Sequence, residues 1–160
     1  MTSVTTAVLS LGSNLGDRRA HLRAGLDLIG RQLPVLAVSS LYETAPVGGV
    51  AQPAYLNCAA LVATADPDEA LAAAHVAEAA RGRLRSARWG PRTLDVDVIS
   101  VDAIVRNEAR LTLPHPRAHE RAFVLVPWLE VEPNAVLPGR GRVADLVRAV
   151  DTHDVTRVSW

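Results

Sequence analysis

The spacing of apolar residues along the first half of the chain alternates between the period of a strand and that of a helix. An apolar, β-rich run at Val4–Leu11 stops at the glycine- and asparagine-containing segment Gly12–Asp17, where a tight turn is expected. Apolar residues then recur every three or four positions, which predicts a helix that Asp17 caps and Pro34 ends. The elements predicted here are a strand at Val4–Leu11, a helix at Arg18–Leu33, and strands at Val35–Tyr42 and Tyr55–Thr64.

The second half repeats the helix-then-strand pattern and adds further elements. An alanine-rich segment after Asp66 has strong helix propensity, and Leu94–Val101 alternates with a period of two. The predicted elements are a helix at Pro67–Ala80, a strand at Leu94–Val101, short extended pieces at Ala103–Val105 and Leu111–Leu113, helices at Arg117–Glu130 and Arg142–Val150, and an edge strand at Val155–Trp160. The order β-α-β-β-α-β with C-terminal helical and strand additions predicts an α+β fold, a ferredoxin-like split βαβ sandwich that forms one domain over 1–160.

The composition is typical of a soluble globular protein. The chain has 160 residues, of which 49% are hydrophobic, and its net charge is zero. A neutral chain of this length argues against general binding to nucleic acid or to an acidic membrane surface. Cys58 is the only cysteine, so an internal disulfide is ruled out. No apolar run approaches the roughly 18 residues of a membrane span. No basic residues precede the short apolar run Ala7–Leu11, so a signal peptide is not expected and a cytoplasmic location is.

All 17 basic residues are arginine, and the chain has no lysine. P-loops, Schiff-base enzymes and protein-kinase-type sites each need a lysine amine at a fixed place, so these classes are excluded. Any anion that the protein binds must therefore be held by arginine, backbone N–H groups or a metal ion.

The strongest chemical signal is an arginine-rich segment that leads into a strand with two aspartates. Five arginines lie between Glu78 and Asp95, with no acidic residue among them. Asp95 and Asp97 would share one face of a strand with Cα atoms about 6.5 Å apart, a placement that suits Mg²⁺ bound together with substrate phosphates. Solvated aspartates and a solvated arginine loop are the alternatives. Trp89, within the same segment, is expected either to close over a site or to anchor the loop in the core.

His115 lies between two prolines in a second basic cluster. Arg110, Arg117 and Arg121 are close to it in sequence, which favours a phosphate-binding imidazole. A zinc site built on His115 and His119 would need two further ligands, and no such pair is evident. The remaining histidines are expected to be surface or satisfied core residues: His21, His75 and His153.

A third candidate region contains Tyr55 and Asn57, which face the same way in a strand, and the only phenylalanine of the chain, Phe123. A planar heterocycle could stack between the two rings while the amide reads its edge. The alternative is that Tyr55 and Phe123 are plain core residues, and the residues by themselves favour it. Cys58 points to the opposite face and is expected to be a small buried residue.

Residues 88–99, with the sequence RWGPRTLDVDVI, closely resemble the signature of the 6-hydroxymethyl-7,8-dihydropterin pyrophosphokinase family of the folate pathway. Supporting motifs follow the order and spacing of that family over nearly the whole chain. They are LGSNLGD at 11–17, SLYETAP at 40–46 with YLN at 55–57, and LTLPHP at 111–116 followed by RAF at 121–123.

The resemblance implies that a monomer with a ferredoxin-like fold transfers a pyrophosphoryl group from ATP to the hydroxymethyl oxygen of the pterin and releases AMP. It implies two Mg²⁺ ions on Asp95 and Asp97, and adds Arg83 and Arg92 as catalytic residues. The implied ATP-binding residues are Trp89, Arg110, Thr112, His115 and Arg121. The implied pterin-binding residues are Tyr55 and Phe123 as a sandwich, with Asn57, Thr44, Pro46 and Val47 at the ring edge.

Two other classes share part of this outline. A cyclase- or polymerase-like palm also carries two metal-binding carboxylates on a ferredoxin-like sheet, but it needs a template groove or a second catalytic half. An RNA-binding ferredoxin-like module needs stacking aromatics and a basic surface, whereas aromatics make up 4% of this chain and its net charge is zero. Small-molecule substrates, rather than nucleic acid or a membrane, are therefore the expected partners.

Overall fold

The computed structural model describes residues 4–45, 53–82 and 93–160. These residues form a mixed α+β fold around an antiparallel sheet. The elements are β1 (Thr5–Ser13), α1 (Arg18–Gly30), β2 (Val35–Val38), β3 (Leu41–Thr44), β4 (Tyr55–Thr64), α2 (Pro67–Ala80), β5 (Asp95–Val101), β6 (Arg106–Asn107), β7 (Thr112–Leu113), a 3₁₀ turn (Ala118–Glu120), α3 (Ala122–Val131), β8 (Val136–Leu137), β9 (Gly141–Arg142), α4 (Val143–Ala149) and β10 (Thr156–Val158).

The main sheet runs in the order β10-β3-β4-β1-β5. The strand β2 pairs with the second half of β4, and β3 pairs with the first half. Every pairing in it is antiparallel. Two short hairpins, β6–β7 and β8–β9, lie apart from this sheet. No helix in the described ranges is both long enough and apolar enough to cross a lipid bilayer.

The two faces of the sheet pack against different helices. Along β1, the alternate residues Ala7, Leu9 and Leu11 belong to a core shared with α1 and α2. Val8 points the other way and belongs to a second core with residues of α3. The period-two side-chain alternation of a strand therefore divides β1 between two cores, one on each side of the sheet.

The predicted starts of α1 and α2 are confirmed, and the predicted end of α1 is wrong. Asp17 caps α1 by accepting a hydrogen bond from the Ala20 N–H at 3.0 Å, and Asp66 caps α2. The helix α1 ends at Gly30, three residues before the predicted end at Leu33. Leu33 lies in the turn after the helix, where its N–H donates to the Ile29 carbonyl. Its side chain is still buried in the core, at 2% exposure, and therefore fits the apolar spacing of the helix.

The predicted strand Val35–Tyr42 is interrupted in the structure. Its two halves, β2 and β3, both pair with β4, and the break falls at Ser39–Ser40. The Ser39 hydroxyl accepts a hydrogen bond from the Ala59 N–H at 2.9 Å, so a side chain replaces part of the backbone ladder at the break. Serine side chains compete with backbone groups in this way, which a propensity pattern does not register.

Further differences concern the segments after β5. The prediction of an extended piece at Ala103–Val105 is wrong: the chain turns after β5 through Asp102, whose φ is 46°, and the paired strands are β6 and β7. The helix predicted over Arg117–Glu130 is a 3₁₀ turn followed by α3, with Arg121 extended between them. The β8–β9 hairpin was not predicted. The C-terminal edge strand is confirmed, since β10 pairs with β3 at the sheet edge.

Candidate active site

Polar and small residues cluster on one half of one sheet face. In the strand register, Gly12 lies opposite both Asn57 and Asp95, and Ser10 lies opposite Asp97. Residues directly opposite in an antiparallel pair share a face. The polar half-face defined in this way includes Ser10, Gly12, Tyr42, Thr44, Tyr55, Asn57, Asp95 and Asp97.

The other half of the same face is covered by α3. Val8 and Leu61, opposite each other in β1 and β4, pack with Ile99 against α3. Phe123, in the first turn of α3, is half-buried against this core. The polar half-face is therefore the part of this sheet surface that begins where the α3 core ends.

Asn57 is held in one orientation by its neighbours. It is 3% exposed, and its Nδ2 donates to Thr44 Oγ1 at 2.7 Å. A Cβ atom at Gly12 would lie 2.8 Å from Asn57 Oδ1 and 3.5 Å from Tyr55 Cδ1. Glycine at residue 12 is thus needed for the Asn57 side chain to occupy this place, whereas the contact with Tyr55 would be an ordinary one.

Asp95 and Asp97 are half-buried at the beginning of β5, and the alternate residues Leu94, Val96 and Val98 are buried in the opposite core. The strand is fixed from the α2 side, where the Val96 N–H donates to Glu78 Oε2 at 3.2 Å. No group of three or more His, Cys, Asp and Glu side chains suited to a metal occurs among the described residues. Two carboxylates without a full protein cage fit Mg²⁺, which usually keeps waters and is completed by substrate phosphates.

Arg121 supplies positive charge close to these carboxylates. Burial lowers the pKa of its guanidinium, whereas the negative charges of Asp97 and Asp95 act in the opposite direction. Its guanidinium carbon lies 5.5 Å from the centre of the Phe123 ring. An arginine stays protonated under these conditions and can bind an anionic group beside the aspartates.

His115 is a neutral hydrogen-bond donor in this setting. Burial lowers its pKa to about 4, and the charges of Arg121 and Arg117 act in the same direction. Its Nδ1 accepts a hydrogen bond from the Arg117 N–H at 3.2 Å, which assigns the ring proton to Nε2. The backbone N–H of His115 donates to the Ile99 carbonyl at 2.8 Å, so the residue is tied to β5.

A cavity of about 270 Å³ lies beside Asp97 and collects several residues that the motifs indicated. It is formed by α2, β5 and the segment 110–116. Its lining residues are Leu71, His75, Glu78, Val96, Asp97, Val98, Arg110, Leu111, Thr112, His115 and Pro116.

The contribution of α2 to this cavity was not predicted. Leu71, His75 and Glu78 are spaced four and three residues apart, which places them on one helix face. That spacing was the available signal, but the alanine-rich pattern of the helix hid it. His75 was expected to be a surface or core residue, and it is an exposed residue that lines the cavity.

Arg110 and Thr112 are held at the cavity by local bonds. Arg110 forms an ion pair with Asp68 of α2, and Arg106 shares the same carboxylate oxygen at 3.1 Å. Thr112 Oγ1 donates to the Glu108 carbonyl at 3.0 Å. The structure thus brings Arg110, Thr112, His115 and Asp97 together around one cavity.

Five residues of the predicted site lie outside the described residues: Arg83, Trp89, Arg92, Pro46 and Val47. Stacking of a ring between Tyr55 and Phe123 stays a prediction. Cys58 is fully buried, as expected, and burial raises the pKa of its thiol to about 12.

Comparison with known proteins assigns the chain to a family. The model of the 7,8-dihydro-6-hydroxymethylpterin-pyrophosphokinase family matches residues 8–133. The chain belongs to this pyrophosphokinase family. The resemblance carried by the sequence motifs is therefore confirmed.

Named members of the pyrophosphokinase family are similar over most of the chain. The 2-amino-4-hydroxy-6-hydroxymethyldihydropteridine pyrophosphokinase of Mycobacterium tuberculosis is 50% identical over 150 residues, covering 86% of this chain and 78% of the relative. The protein of the same name from Methylorubrum extorquens is 38% identical over 158 residues, covering 97% of this chain and 99% of the relative.

Solved structures of the family share the fold at low sequence identity. A crystal structure of HPPK-DHPS in complex with substrates superposes with a TM-score of 0.70 at 11% identity, covering 92% of this chain and 43% of the solved chain. Wild-type HPPK-DHPS from Plasmodium falciparum with pterin and p-hydroxybenzoate gives a TM-score of 0.69 at 14% identity, covering 92% and 42%. This chain therefore spans under half the length of these solved chains.

Proposed function

We propose that the chain transfers the pyrophosphoryl group of ATP to the hydroxymethyl oxygen of 6-hydroxymethyl-7,8-dihydropterin and releases AMP, as a step of folate biosynthesis. One observation carries the proposal. The polar half-face places a fixed amide, Asn57, and a pair of carboxylates, Asp95 and Asp97, on neighbouring strands either side of Gly12. Membership of the pyrophosphokinase family supports the assignment of the amide to the pterin and of the carboxylates to the metal and phosphates.

The proposed fold type is the ferredoxin-like split βαβ sandwich. If β2 and β3 are counted as one interrupted strand, the elements from β1 to β5 follow the order β-α-β-β-α-β. The spatial order β3-β4-β1-β5, antiparallel throughout, supports this assignment. The helices α3 and α4 and the strand β10 are then the C-terminal additions.

The cavity between α2, β5 and the segment 110–116 is the proposed ATP site. His115 can donate to a phosphate through Nε2, and Arg121 can bind one through its fork of N–H groups. Arg110 and Thr112 line the same cavity and are further proposed contacts to ATP. Arg83, Trp89 and Arg92 are assigned to the phosphates by the resemblance. Because the chain has no lysine, arginines are the cationic side chains that the proposed site can use beside the metal ions.

Asp95 and Asp97 are the proposed holders of two Mg²⁺ ions. Their hard oxygen ligands on one strand face suit this metal, and the absence of further acidic ligands among the described residues leaves coordination positions for phosphate oxygens. Bound Mg²⁺ would neutralise charge on the phosphates and orient them. Asp95 and Asp97 themselves bind and orient, and neither is needed as a nucleophile.

The pterin is proposed to lie over Gly12, against Asn57 and Thr44, with Tyr55 and Phe123 stacking on its two sides. Pro46 and Val47 join them through the resemblance. An amide that is already hydrogen-bonded to Thr44 at 2.7 Å is preorganised to read a ring edge. The hydroxymethyl group then points along the half-face toward Asp95 and Asp97.

The reaction balances without a covalent intermediate. The hydroxymethyl oxygen forms a bond to the β-phosphorus of ATP, the bond from that phosphorus to the oxygen bridging it to the α-phosphorus breaks, and AMP leaves with that oxygen. The hydroxyl proton is released. Positioning and neutralisation of charge supply most of the catalysis in this reaction class.

Incubation of the chain with ATP, Mg²⁺ and hydroxymethyldihydropterin tests the proposal. The expected result is AMP and pyrophosphorylated pterin in equal amounts. ADP as the nucleotide product, or AMP without a pterin product, would contradict it. A palm-type enzyme would instead release pyrophosphate, and an RNA-binding module would show no turnover. Sedimentation of the same sample tests the proposed monomer.

A further inference from the structure

Arg18, the first residue of α1, joins the ends of β3 and β4. Its Nη1 donates to Glu43 Oε2 at 3.1 Å and to the Ala54 carbonyl at 2.9 Å. Glu43 directly precedes Thr44, and Ala54 directly precedes Tyr55. One guanidinium thus contacts the chain immediately before each of two paired residues of the polar half-face.

The helix itself does not explain an arginine at this position. A cation in the first turn of a helix opposes the macrodipole, and this first turn carries no acidic residue. The Arg18 side chain is only 26% exposed, so most of it is buried where it makes these bonds. Arg19 is also a cation in the first turn of α1, but it has a different partner. Its Nε donates to the Ser159 carbonyl at 3.0 Å, near the C-terminal strand.

A second side chain, from the connection between β1 and α1, also bonds to the backbone just before β4. Asn14, which is 1% exposed, donates from Nδ2 to the Pro53 carbonyl at 3.1 Å. Arg18 and Asn14 therefore hold two successive carbonyls, those of Pro53 and Ala54, at the entrance to β4. The backbone that sets the direction of Tyr55 is fixed from the β1–α1 turn.

We propose that Arg18 is a positioning residue for the pterin half of the site. It sets the separation of the β3 and β4 ends, and with it the placement of Thr44, Tyr55 and Asn57, without touching either substrate. The inference rests on the proposed function, because it takes these three residues as the pterin surface. The carboxylates of β5 lie on the far side of β1, so the nucleotide half should not depend on Arg18.

Arg18→Met and Arg19→Met form a matched pair for the test. Each removes one guanidinium from the first turn of α1 and one bond to a backbone carbonyl. For Arg18→Met, KM and Kd for hydroxymethyldihydropterin should rise about tenfold, the effect of losing one charge-assisted hydrogen bond. KM for ATP, and Kd for a non-hydrolysable ATP analogue, should stay at the wild-type values. Arg19→Met should leave both substrates unaffected.

Two further variants separate positioning from general stability. Arg18→Lys keeps a cation for Glu43 but not the planar fork, so its pterin affinity should fall between wild type and Arg18→Met. Glu43→Gln should weaken pterin binding in the wild-type chain but add little in the Arg18→Met background, since coupled residues are not additive.

Equal losses for both substrates, equal losses in Arg18→Met and Arg19→Met, or unchanged pterin binding in Arg18→Met would each overturn the inference. Failure of the proposed function is a separate result. It would show as a wild-type chain that forms no pyrophosphorylated pterin, whereas an active wild type with an unaltered Arg18→Met variant defeats only the positioning role.

Discussion

Gly12 leaves open the space that the side chain of Asn57 fills. The two residues are opposite each other in β1 and β4, and a Cβ atom at residue 12 would lie 2.8 Å from Asn57 Oδ1. Real Cβ atoms essentially never approach so closely, so Asn57 would have to move. Its bond to Thr44 and its contact surface would move with it.

Gly12→Ala is therefore expected to weaken pterin binding by about tenfold or more, as one buried hydrogen bond is broken. Binding of an ATP analogue should be unchanged. Gly30→Ala is the matched control, because its added Cβ would meet Val35 Cγ2 at an ordinary 3.6 Å. Calorimetric titration of both variants checks the prediction, and a Gly12→Ala variant that binds pterin like wild type would show that Asn57 does not read the ring.

Asp97→Ala is expected to lower turnover by about 10²–10³ or more while pterin binding without nucleotide survives. The reason is that Asp97 lies beside the cavity and serves the phosphates, whereas Asn57 and Thr44 serve the pterin. Asp145→Ala, which removes an exposed carboxylate paired with Arg148 on α4, is the control and should leave turnover intact. Equal loss of turnover and pterin affinity in Asp97→Ala would contradict this division of roles.

His115 makes stability depend on pH in a defined window. Because its pKa is about 4 in the folded protein and 6.5 is the ordinary value, the unfolded chain takes up the proton first as the pH falls. The contribution of His115 is thus fully present above pH 6.5 and is lost as the pH falls toward 4. Denaturant titrations at several pH values should show a smaller fall in the free energy of unfolding for His115→Gln than for wild type. Identical pH profiles for the two proteins would contradict the lowered pKa.

Tyr42 and Glu130 connect β3 to α3 at the break between β2 and β3. The Tyr42 hydroxyl donates to Glu130 Oε1, and Glu130 Oε2 accepts from the Ser40 N–H at 2.7 Å. Tyr42→Phe keeps the ring but removes one donor from the carboxylate, so the free energy of unfolding should fall by about 1–2 kcal/mol. Tyr42 lies opposite Asn57 in the β3–β4 pair, but its hydroxyl is bonded to Glu130 of α3. Because Tyr42→Phe keeps the ring beside Asn57, turnover at a temperature where the variant is folded should match wild type. A loss of turnover without a loss of stability would contradict this expectation.

The sequence predicted the strands that carry the site better than it predicted the connections between them. Asp95 and Asp97, and likewise Tyr55 and Asn57, reveal their shared face through period-two alternation, which depends only on local backbone geometry. The helix caps at Asp17 and Asp66 are local in the same sense, and both are confirmed.

Features that depend on distant parts of the chain were not visible in this way. The need for glycine at residue 12 comes from Asn57, which is 45 positions away in sequence. The Ser39 break depends on a hydroxyl that bonds to Ala59, and α2 is joined to β5 at the cavity by the hydrogen bond between Val96 and Glu78. Sequence patterns report which face of an element is apolar, but not which residue of another element meets it.

ATP labelled separately at its α, β and γ phosphorus tests the proposed reaction most directly. With Mg²⁺ and hydroxymethyldihydropterin, the pterin product is expected to carry the β and γ labels in equal amounts, and AMP is expected to keep the α label. Transfer of the γ label alone with release of ADP, or recovery of the β and γ labels only as free pyrophosphate, would contradict pyrophosphoryl transfer by this chain.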